Sequence, residues 1–174
     1  MTKSNRNGVG PIVSSAHLAQ SSLPELSEVE YALTMTNHAF HRWIVRCMDA
    51  AGAPGMAPLE VLILHQVNHR DREKTLADIR LVLHIEDTHL ITYALRKLSE
   101  RGLVRTARKG KEKSVGITDE GRALCDRYRE VREALLVDLA QELGFKPEEM
   151  SRLAALLRAI SGSYDQAARA ATTI

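Results

Sequence analysis

The chain has 174 residues, with 24 Lys and Arg against 22 Asp and Glu, and 44% of it is hydrophobic. This composition is typical of a soluble globular protein, and the length suits one domain with helical extensions. No apolar run approaches the ~18–20 residues of a membrane span. No apolar stretch follows Lys3 and Arg6, as one would in a secretory signal. Two cysteines are too few for a disulfide scaffold. We therefore expect a cytoplasmic protein without a membrane segment.

The N-terminal third is predicted to consist of a tail and one long helix. Residues 1–22 are rich in Ser, Asn, Gly and Gln without a sustained period, which predicts a disordered tail. Pro24 suits the first position of a helix, and the helical pattern continues to about Ala50. Apolar or small residues recur along it every three or four positions, at Leu26, Val29, Leu33, Phe40, Ile44, Cys47 and Met48. We assign residues 23–55 to this N-terminal segment.

Two shorter helices follow. Pro58 begins one that runs to about His69, and its predicted buried side comprises Leu59, Leu62, Ile63, Gln66 and Val67. Thr75 is a favourable N-cap for the next helix, Leu76–Leu83, with Asp78 in the third helical position as in a capping box.

The residues from Glu86 to Arg101 have the pattern of an amphipathic helix. The predicted buried face comprises Leu90, Ile91, Ala94, Leu95 and Leu98. The opposite face carries His89, Thr92, Tyr93, Arg96 and Glu100. Gly102 is suited to end this helix, because glycine tolerates a positive φ. Residues 75–101 therefore read as helix, turn and helix, an arrangement that presents its second helix to the DNA major groove.

Two short β-prone runs then flank a basic, glycine-containing turn, which predicts a hairpin up to Ile117. Residues 96–113 hold eight Lys or Arg and two Asp or Glu, a net charge of +6, whereas the remaining sixteen basic and twenty acidic residues give −4. Local density of this kind is what phosphate binding requires. The alternative is a solvated basic face without a partner.

Helix, strand, basic turn and strand together predict a winged helix that binds double-stranded DNA. The predicted contacts are Thr88, His89, Thr92, Tyr93, Arg96 and Lys97 on the recognition helix, and Arg108, Lys109, Lys111 and Lys113 in the wing. Arginine can read guanine through two hydrogen bonds, whereas lysines at a wing suit phosphate contact.

The C-terminal third is predicted to be helical. One helix begins at Thr118 and has apolar positions at Leu124, Tyr128, Val131, Leu135, Leu139 and Leu143. Pro147 begins a last helix with Met150, Leu153, Leu156, Leu157 and Ile160 along one side. A winged-helix core of about 70 residues is too small to cover the apolar stripes of these two helices together with the stripe of the first helix. The uncovered stripes favour a homodimer. The alternative is an intramolecular helical cap.

The expected fold class is mainly α, an α+β winged helix. A winged helix-turn-helix core at 56–118 lies between dimerisation helices at 23–55 and 119–174.

Two motifs give this sequence a family resemblance. Gly102-Leu103-Val104 follows Leu98 after three polar residues, and Thr118-Asp119-Glu120-Gly121 follows the wing. Over residues 24–168 the chain resembles the MarR family of transcription regulators. The resemblance implies a non-enzymatic homodimer that binds palindromic operator DNA and is often released by a small-molecule effector. The wing departs from the family pattern, since no residue matches the arginine that many members insert into the minor groove.

Other readings remain open from the residues alone. The pairs His65/His69 and His38/His41 could each offer two ligands to zinc, and Cys125 could act as a redox switch. A winged helix could also serve as a protein–protein interaction module without specific DNA binding. No phosphate loop, nucleophile elbow or metalloprotease motif is present, so we expect neither catalysis nor a cofactor.

Overall fold

The computed structural model describes residues 10–109 and 112–174, without the side chains of Asp71, Arg108, Lys109 and Glu112. Within these residues the α-helices are α1 (Pro24–Ala50), α2 (Pro58–Asn68), α3 (Leu76–Leu83), α4 (Thr88–Glu100), α5 (Asp119–Arg132), α6 (Asp138–Glu142) and α7 (Pro147–Ala171). The strands are β1 (Lys74–Thr75), β2 (Val104–Lys109) and β3 (Glu112–Ile117). The chain divides into two compact units, one ending at Tyr128 and one spanning Arg129–Ile174. The expected mainly α fold with a small antiparallel sheet is confirmed.

Part of the predicted tail has regular structure. Residues Ala16–Gln20 form a 3-10 helix. The buried Ser27 hydroxyl of α1 donates a hydrogen bond to the Leu18 carbonyl at 3.0 Å, and the Ile12 amide donates to the Glu28 carboxylate at 3.1 Å. These bonds hold residues 12–18 against the start of α1. The earlier part of the predicted tail, residues 1–9, lies outside the described residues.

The long first helix is confirmed from Pro24 to Ala50. Its apolar stripe is fully buried only near the C-terminal end, at Ile44, Cys47 and Met48, whereas Val29 and Leu33 are half-buried. Every residue in the stretch 34–40, by contrast, is exposed within the chain. Two turns of this helix therefore have no cover from their own unit.

The second helix is buried on more sides than its sequence pattern predicted. Ile63 and Val67 are buried as expected, but Leu59, Leu62 and Gln66 are only half-buried. The fully enclosed residues include Val61 and Leu64, which were not on the predicted face. Helix α2 contacts α1, α3, α4 and β3, so neighbours surround it and a single apolar stripe does not describe it.

Helices α3 and α4 form the predicted helix-turn-helix. The Thr75 hydroxyl accepts a hydrogen bond from the Asp78 amide at 3.1 Å, and the Asp78 carboxylate accepts one from the Thr75 amide at 2.9 Å, which confirms the capping box. Hydrogen bonding to the backbone of Thr75 lowers the pKa of Asp78. His84 ends α3 in the left-handed conformation with a φ of 51°. The core of this domain includes Val61, Ile63, Leu64, Val67, Ile79, Ile91, Ala94, Leu98, Val104, Val115 and Leu124.

The sheet has the order β1-β3-β2, with both pairs antiparallel. Strand β1 was not predicted, since two residues are too few to show a period. In the hairpin Val104 pairs with Ile117 and Thr106 pairs with Val115. Partners in antiparallel strands lie on the same face, so Thr106 shares the face of the buried Val115.

The two sequence motifs that flank the wing meet in the structure. The Thr118 hydroxyl donates to the Gly102 carbonyl at 2.7 Å and accepts from the Gly121 amide at 3.0 Å. The Thr118 amide donates to the Leu103 carbonyl at 3.2 Å. Gly102 has a φ of 71°, which confirms its predicted role at the end of α4. The junction thus joins the end of α4, both ends of the hairpin and the start of α5.

The second unit, Arg129–Ile174, is helical and leaves most of its apolar side chains exposed. A π-helical segment, Glu133–Val137, lies between α5 and α6, so the predicted helix is present with one widened turn. The exposed apolar residues of this unit include Leu135, Leu139, Leu143, Phe145, Met150, Leu153, Leu156 and Leu157. All of them except Phe145 are positions of the predicted stripes.

None of the helices within the described residues combines the length and the apolar character that crossing a bilayer requires.

Gly121 is predicted to be essential to the wing junction. A Cβ at this position would lie 2.1 Å from the Leu103 carbonyl oxygen and 2.7 Å from the Ile117 Cδ1 atom. Gly121→Ala should therefore lower the free energy of unfolding by about 2 kcal/mol or more, in the range of overpacked cores. Chemical denaturation measures this change.

Gly162→Ala on α7 is the matched control, since a Cβ there meets no atom of the chain within 4 Å. It should leave stability unchanged or raise it, by up to about 1 kcal/mol, because alanine favours helix. Equal stability of Gly121→Ala and the wild type would contradict the close packing at the junction.

Candidate nucleic-acid interface

Helix α4 is held rigidly on its inner side. Ile91, Ala94 and Leu98 are buried in the domain core. The Asp87 carboxylate caps the helix by accepting a hydrogen bond from the His89 amide at 2.8 Å. This packing fixes the helix, and with it the direction of its outer face.

The outer face carries the residues predicted to contact DNA. His89, Thr92, Tyr93 and Arg96 are exposed, while Thr88 and Lys97 are half-buried. The assignment of Leu90 to the buried face is wrong, because 53% of Leu90 is exposed. Leu90 lies at the margin of the buried arc, in the first turn of α4.

The Thr92 hydroxyl is already used as a donor. It donates a hydrogen bond to the Thr88 carbonyl at 2.9 Å, one turn earlier in α4. Its remaining capacity is that of an acceptor, with its methyl group also available for apolar contact. Thr92 is therefore suited to a base amino group or a thymine methyl group, and unsuited to a phosphate.

Tyr93 lies close to two cations. The Arg96 guanidinium carbon is 5.1 Å from the ring centroid and the Lys97 Nζ atom is 5.8 Å from it. The Glu100 carboxylate lies 3.8 Å from Arg96 Nε and 3.5 Å from Lys97 Nζ. All of these groups are solvated, so each pair contributes little to stability. Their effect is to limit the directions in which the Arg96 side chain can point.

Not all positive charges of the basic segment, residues 96–113, are available to a binding partner. The Arg101 guanidinium donates to the carbonyls of Pro54 and Gly55 at 3.0 and 3.1 Å. Arg105 Nη1 lies 3.1 Å from the Glu73 carboxylate. The sequence count of +6 therefore overstates the charge available to a partner, since these two arginines have structural partners.

The root of the wing contains a buried polar network that the sequence reading missed. Lys74 is 1% exposed, and its Nζ atom donates to the carbonyls of His69 and Arg72 at 2.6 and 2.7 Å. The carboxylate of the preceding residue, Glu73, accepts a hydrogen bond from the Ser114 hydroxyl at 2.8 Å and also pairs with Arg105. Nothing in the local pattern distinguishes Lys74 from a surface lysine.

The wing residues are described to different extents. Lys113 is exposed on β3. The backbones of Arg108 and Lys109 belong to β2, but their side chains are outside the description, and Lys111 lies outside the described residues altogether. Lys113 is thus the wing lysine whose surroundings the structure defines.

Two open clefts lie beside α4. The inner cleft, of about 580 Å³, is lined by Leu76, Thr92, Leu95, Arg96, Ser99, Glu100, Thr106, Lys113 and Val115. The outer cleft, of about 660 Å³, is lined by Thr75, Leu76, Ala77, Arg80, Leu81, Thr88 and Lys113. Ser99 was missed by the sequence reading, although its spacing from Thr92 and Arg96 places it on the same side of α4.

Among the described residues, the candidate histidine pairs are not part of a recognisable metal site. Burial lowers the pKa of His65, whose ring packs edge-on against Tyr128 with centroids 4.5 Å apart. Its partner in the candidate pair, His69, is exposed. Within the part of the chain that the structure describes, no three His, Cys, Asp or Glu side chains are arranged to hold a metal ion.

Comparison with known families matches the middle of the chain. Residues 56–121 match the model described as a winged helix DNA-binding domain. Comparison with curated protein sequences gives no match.

Several solved structures with the same fold are transcriptional regulators. A MarR-family transcriptional regulator from Rhodococcus sp. RHA1 has 16% identity and a TM-score of 0.63, over 76% of this chain and 91% of that one. A mutant of MarR from E. coli complexed with operator DNA has 18% identity and a TM-score of 0.63, over 80% and 98%.

The transcriptional repressor CouR bound to a 23-mer DNA duplex has 22% identity and a TM-score of 0.64, over 81% and 98%. CouR from Rhodococcus jostii RHA1 bound to p-coumaroyl-CoA has 17% identity and a TM-score of 0.64, over 76% and 90%. At these identities the likeness establishes the fold, and it confirms the resemblance to MarR-family regulators at that level.

Cys125 lies in an environment that suppresses thiol reactivity. It is buried in α5, and burial together with the Asp126 carboxylate raises the pKa of the Cys125 thiol to about 11. The thiolate is the reactive form, so a reactive cysteine has a lowered pKa and an exposed sulfur. Cys125 has the opposite properties, namely a raised pKa and a buried side chain.

Cys125 should therefore alkylate slowly in the native protein. With a pKa near 11, about 0.1% of the thiol is ionised at pH 8, against roughly a quarter at the ordinary pKa of about 8.5. Iodoacetamide labelling followed by peptide mass spectrometry should give a rate at least about a hundredfold below that in denaturant. The native rate should rise with pH up to about 11. Equal native and denatured rates at pH 8 would support the redox alternative instead.

Proposed function

We propose that this chain, whose winged helix DNA-binding domain lies within the fold of MarR-family regulators, is a sequence-specific transcription regulator that binds a palindromic operator as a homodimer. The observation that carries the proposal is the face of α4. It combines exposed hydrogen-bonding side chains with a rigid core side, next to a basic hairpin. Because bacterial regulators act on chromosomal DNA, the proposed location is the cytoplasm.

Recognition of bases is assigned to the first three turns of α4. Thr88, His89, Thr92 and Tyr93 lie in the first two turns, the part of a recognition helix that most often reaches base edges. Arg96 follows on the same face, with Tyr93 and Glu100 limiting its orientation. Lys97 and the wing residues Arg108, Lys109, Lys111 and Lys113 are assigned to the phosphate backbone.

A homodimer is proposed because each unit leaves apolar surface uncovered. In α1 the exposed stretch 34–40 includes Met35 and Phe40. In α7 Leu153, Leu156 and Leu157 are exposed. Exposed apolar side chains on α1 and α7 are suited to an interface, and a second copy would also supply the second recognition helix that a palindrome requires.

A small-molecule effector is a further element of the proposal. CouR, which has this fold, was solved with p-coumaroyl-CoA in one structure and with DNA in another. By analogy of fold we propose that a ligand regulates DNA binding in this chain also, without assigning its chemistry or its site.

The proposed function is tested by selection from a random double-stranded DNA library. The full-length protein should enrich a palindromic sequence and bind it at least about a thousandfold more tightly than random DNA. An interaction module without specific DNA binding should enrich no sequence and give only weak, salt-sensitive retardation. That result would overturn the proposal.

Arg96→Ala should reduce specificity more than affinity for random DNA. Loss of a bidentate contact to guanine costs about 1–3 kcal/mol of discrimination, so binding of the selected operator should weaken by about tenfold or more. Random DNA should be bound almost as before. Arg152→Ala, an exposed arginine on α7, is the control and should change neither. An equal loss on both DNAs would assign Arg96 to the backbone.

Dimerisation should appear in both mass and stability. Light scattering at micromolar concentration should give about twice the chain mass of 19.3 kDa. An apolar interface above the ~2,000 Å² of obligate dimers couples folding to association, so the melting temperature should rise with protein concentration. Deletion of residues 147–174 should cause aggregation or unfolding and abolish operator binding. A well-behaved monomer that still binds a palindrome with full affinity would contradict this model.

A further inference from the structure

The end of α4 is linked to α1 by hydrogen bonds that cross a long distance in the sequence. Helix α4 packs mainly on α2, α3 and β2, whereas α1 packs mainly on α2 and the 3-10 helix. Arg101, the C-cap of α4, donates to the carbonyls of Pro54 and Gly55 at 3.0 and 3.1 Å. Both carbonyls belong to the loop that follows α1, residues 51–55, which we call the joint loop. The joint loop therefore connects the recognition helix to a helix of the proposed dimer interface.

The first half of the joint loop is fixed to the end of α1. The amides of Gly52 and Ala53 each donate to a carbonyl in the last turn of α1 at 3.0 Å. With Gly52 at a φ of 100°, these are the two bonds of a Schellman motif. The carbonyl of the buried Ala51 also accepts a hydrogen bond from Arg127 Nε of α5 at 2.8 Å. The loop is thus held by two helices before it reaches Arg101.

Asp49 of α1 fixes the second half of the joint loop. Its carboxylate accepts a hydrogen bond from the Gly55 amide at 3.2 Å and lies 3.4 Å from Arg46 Nη1. Gly55 has a φ of 76°, in the region that favours glycine. Its amide therefore binds α1 while its carbonyl binds Arg101, so Gly55 links the two helices directly.

The Arg101 side chain is suited to hold an orientation more than to stabilise the fold. Its planar guanidinium group uses Nη1 for one carbonyl and Nη2 for the next, which fixes the direction as well as the distance of the contact. The side chain is exposed, so its contacts contribute little to the free energy of unfolding. Removal of the side chain should consequently leave the domain folded.

We propose that Arg101 is a positioning residue that sets, through the joint loop, the orientation of the recognition helix relative to α1 and thereby the half-site spacing that the homodimer accepts. The assignment rests on the proposed function and adds to it a determinant of operator spacing. In a dimer that uses α1, the separation of the two recognition helices depends on the angle between α1 and α4 in each copy. A fixed angle makes the dimer selective for one spacing, because a preorganised surface adapts poorly to another.

Operators with altered half-site spacing test the proposal. One or two base pairs are added or removed at the centre of the selected palindrome, and the affinity of the full-length protein is measured for every duplex. Each base pair changes the separation of the half-sites by about 3.4 Å and rotates one against the other by about 35°. The wild type should bind the selected spacing at least about a hundredfold more tightly than the others.

Arg101→Ala should lower this spacing preference to about tenfold or less. Its affinity for the selected spacing should fall by about tenfold, because the freed helix must be ordered when DNA binds. The dependence of binding on salt should stay that of the wild type, since each lost phosphate contact would reduce the logarithmic slope by about 0.9. Arg129→Ala, at an exposed arginine of α5, is the matched control and should change neither property.

Asp49 supplies an independent set of variants on α1. Asp49→Ala removes the acceptor of the Gly55 amide and should lower the spacing preference in the same direction as Arg101→Ala. Asp49→Asn retains an acceptor oxygen and should keep the wild-type preference. In the Asp49→Ala background, Arg101→Ala should have little further effect, because both substitutions act on one link.

The outcomes separate the positioning role from the proposed function. If the operator is bound specifically but the wild type has no spacing preference, or Arg101→Ala retains it, the positioning role is overturned and the regulator stands. If Arg101→Ala weakens all spacings equally and reduces the salt slope, Arg101 contacts phosphate and the positioning role is again overturned. If the wild type shows no specific binding, the proposed function fails, and the positioning role fails with it.

Discussion

The hydrogen bonds of Thr118 are the constraint on which the DNA-binding surface depends. One hydroxyl joins the Gly102 carbonyl to the Gly121 amide, and the backbone amide of the same residue binds the Leu103 carbonyl. The approach is so close that residue 121 must be glycine. Because β2 follows Gly102–Leu103 and β3 precedes Thr118, this junction sets the position of the wing relative to α4. The two motifs that carry the family resemblance therefore contact each other directly.

A second set of polar contacts also anchors the wing. Buried Lys74 organises the loop before β1 through two carbonyls, and Glu73 connects that loop to Arg105 and Ser114 of the hairpin. Burial of an ammonium group costs free energy unless such acceptors surround it. The conformation of the loop and the burial of the lysine therefore depend on each other. The positive charges of the segment thus divide into two roles. Arg101 and Arg105 hold the scaffold, while Arg96 and Lys113 are exposed.

The local elements could be predicted from the sequence to a large extent. Pro24, Pro58 and Pro147 begin helices, Thr75 caps Leu76–Leu83, and Gly102 ends α4, because each of these signals acts through the nearest few residues. Predictions that depended on surroundings were less accurate.

Periodicity identifies an apolar arc but not its edges, so Leu90 was placed inside although it is exposed. For α2 the arc identifies only part of the buried surface, because other elements enclose the helix. The interface itself was predicted only in part. The exposed face of α4 follows from the helical period, but the roles of Arg101, Arg105 and Lys74 depend on partners 2 to 47 residues away in the sequence.

The most direct test of a symmetric DNA-binding regulator is hydroxyl-radical footprinting of the full-length protein on its selected operator. A homodimer that places two copies of α4 in successive major grooves should protect two tracts per strand, related by two-fold symmetry and centred about 10–10.5 base pairs apart. Protection of a single tract, or a uniform pattern without symmetry, would contradict the account.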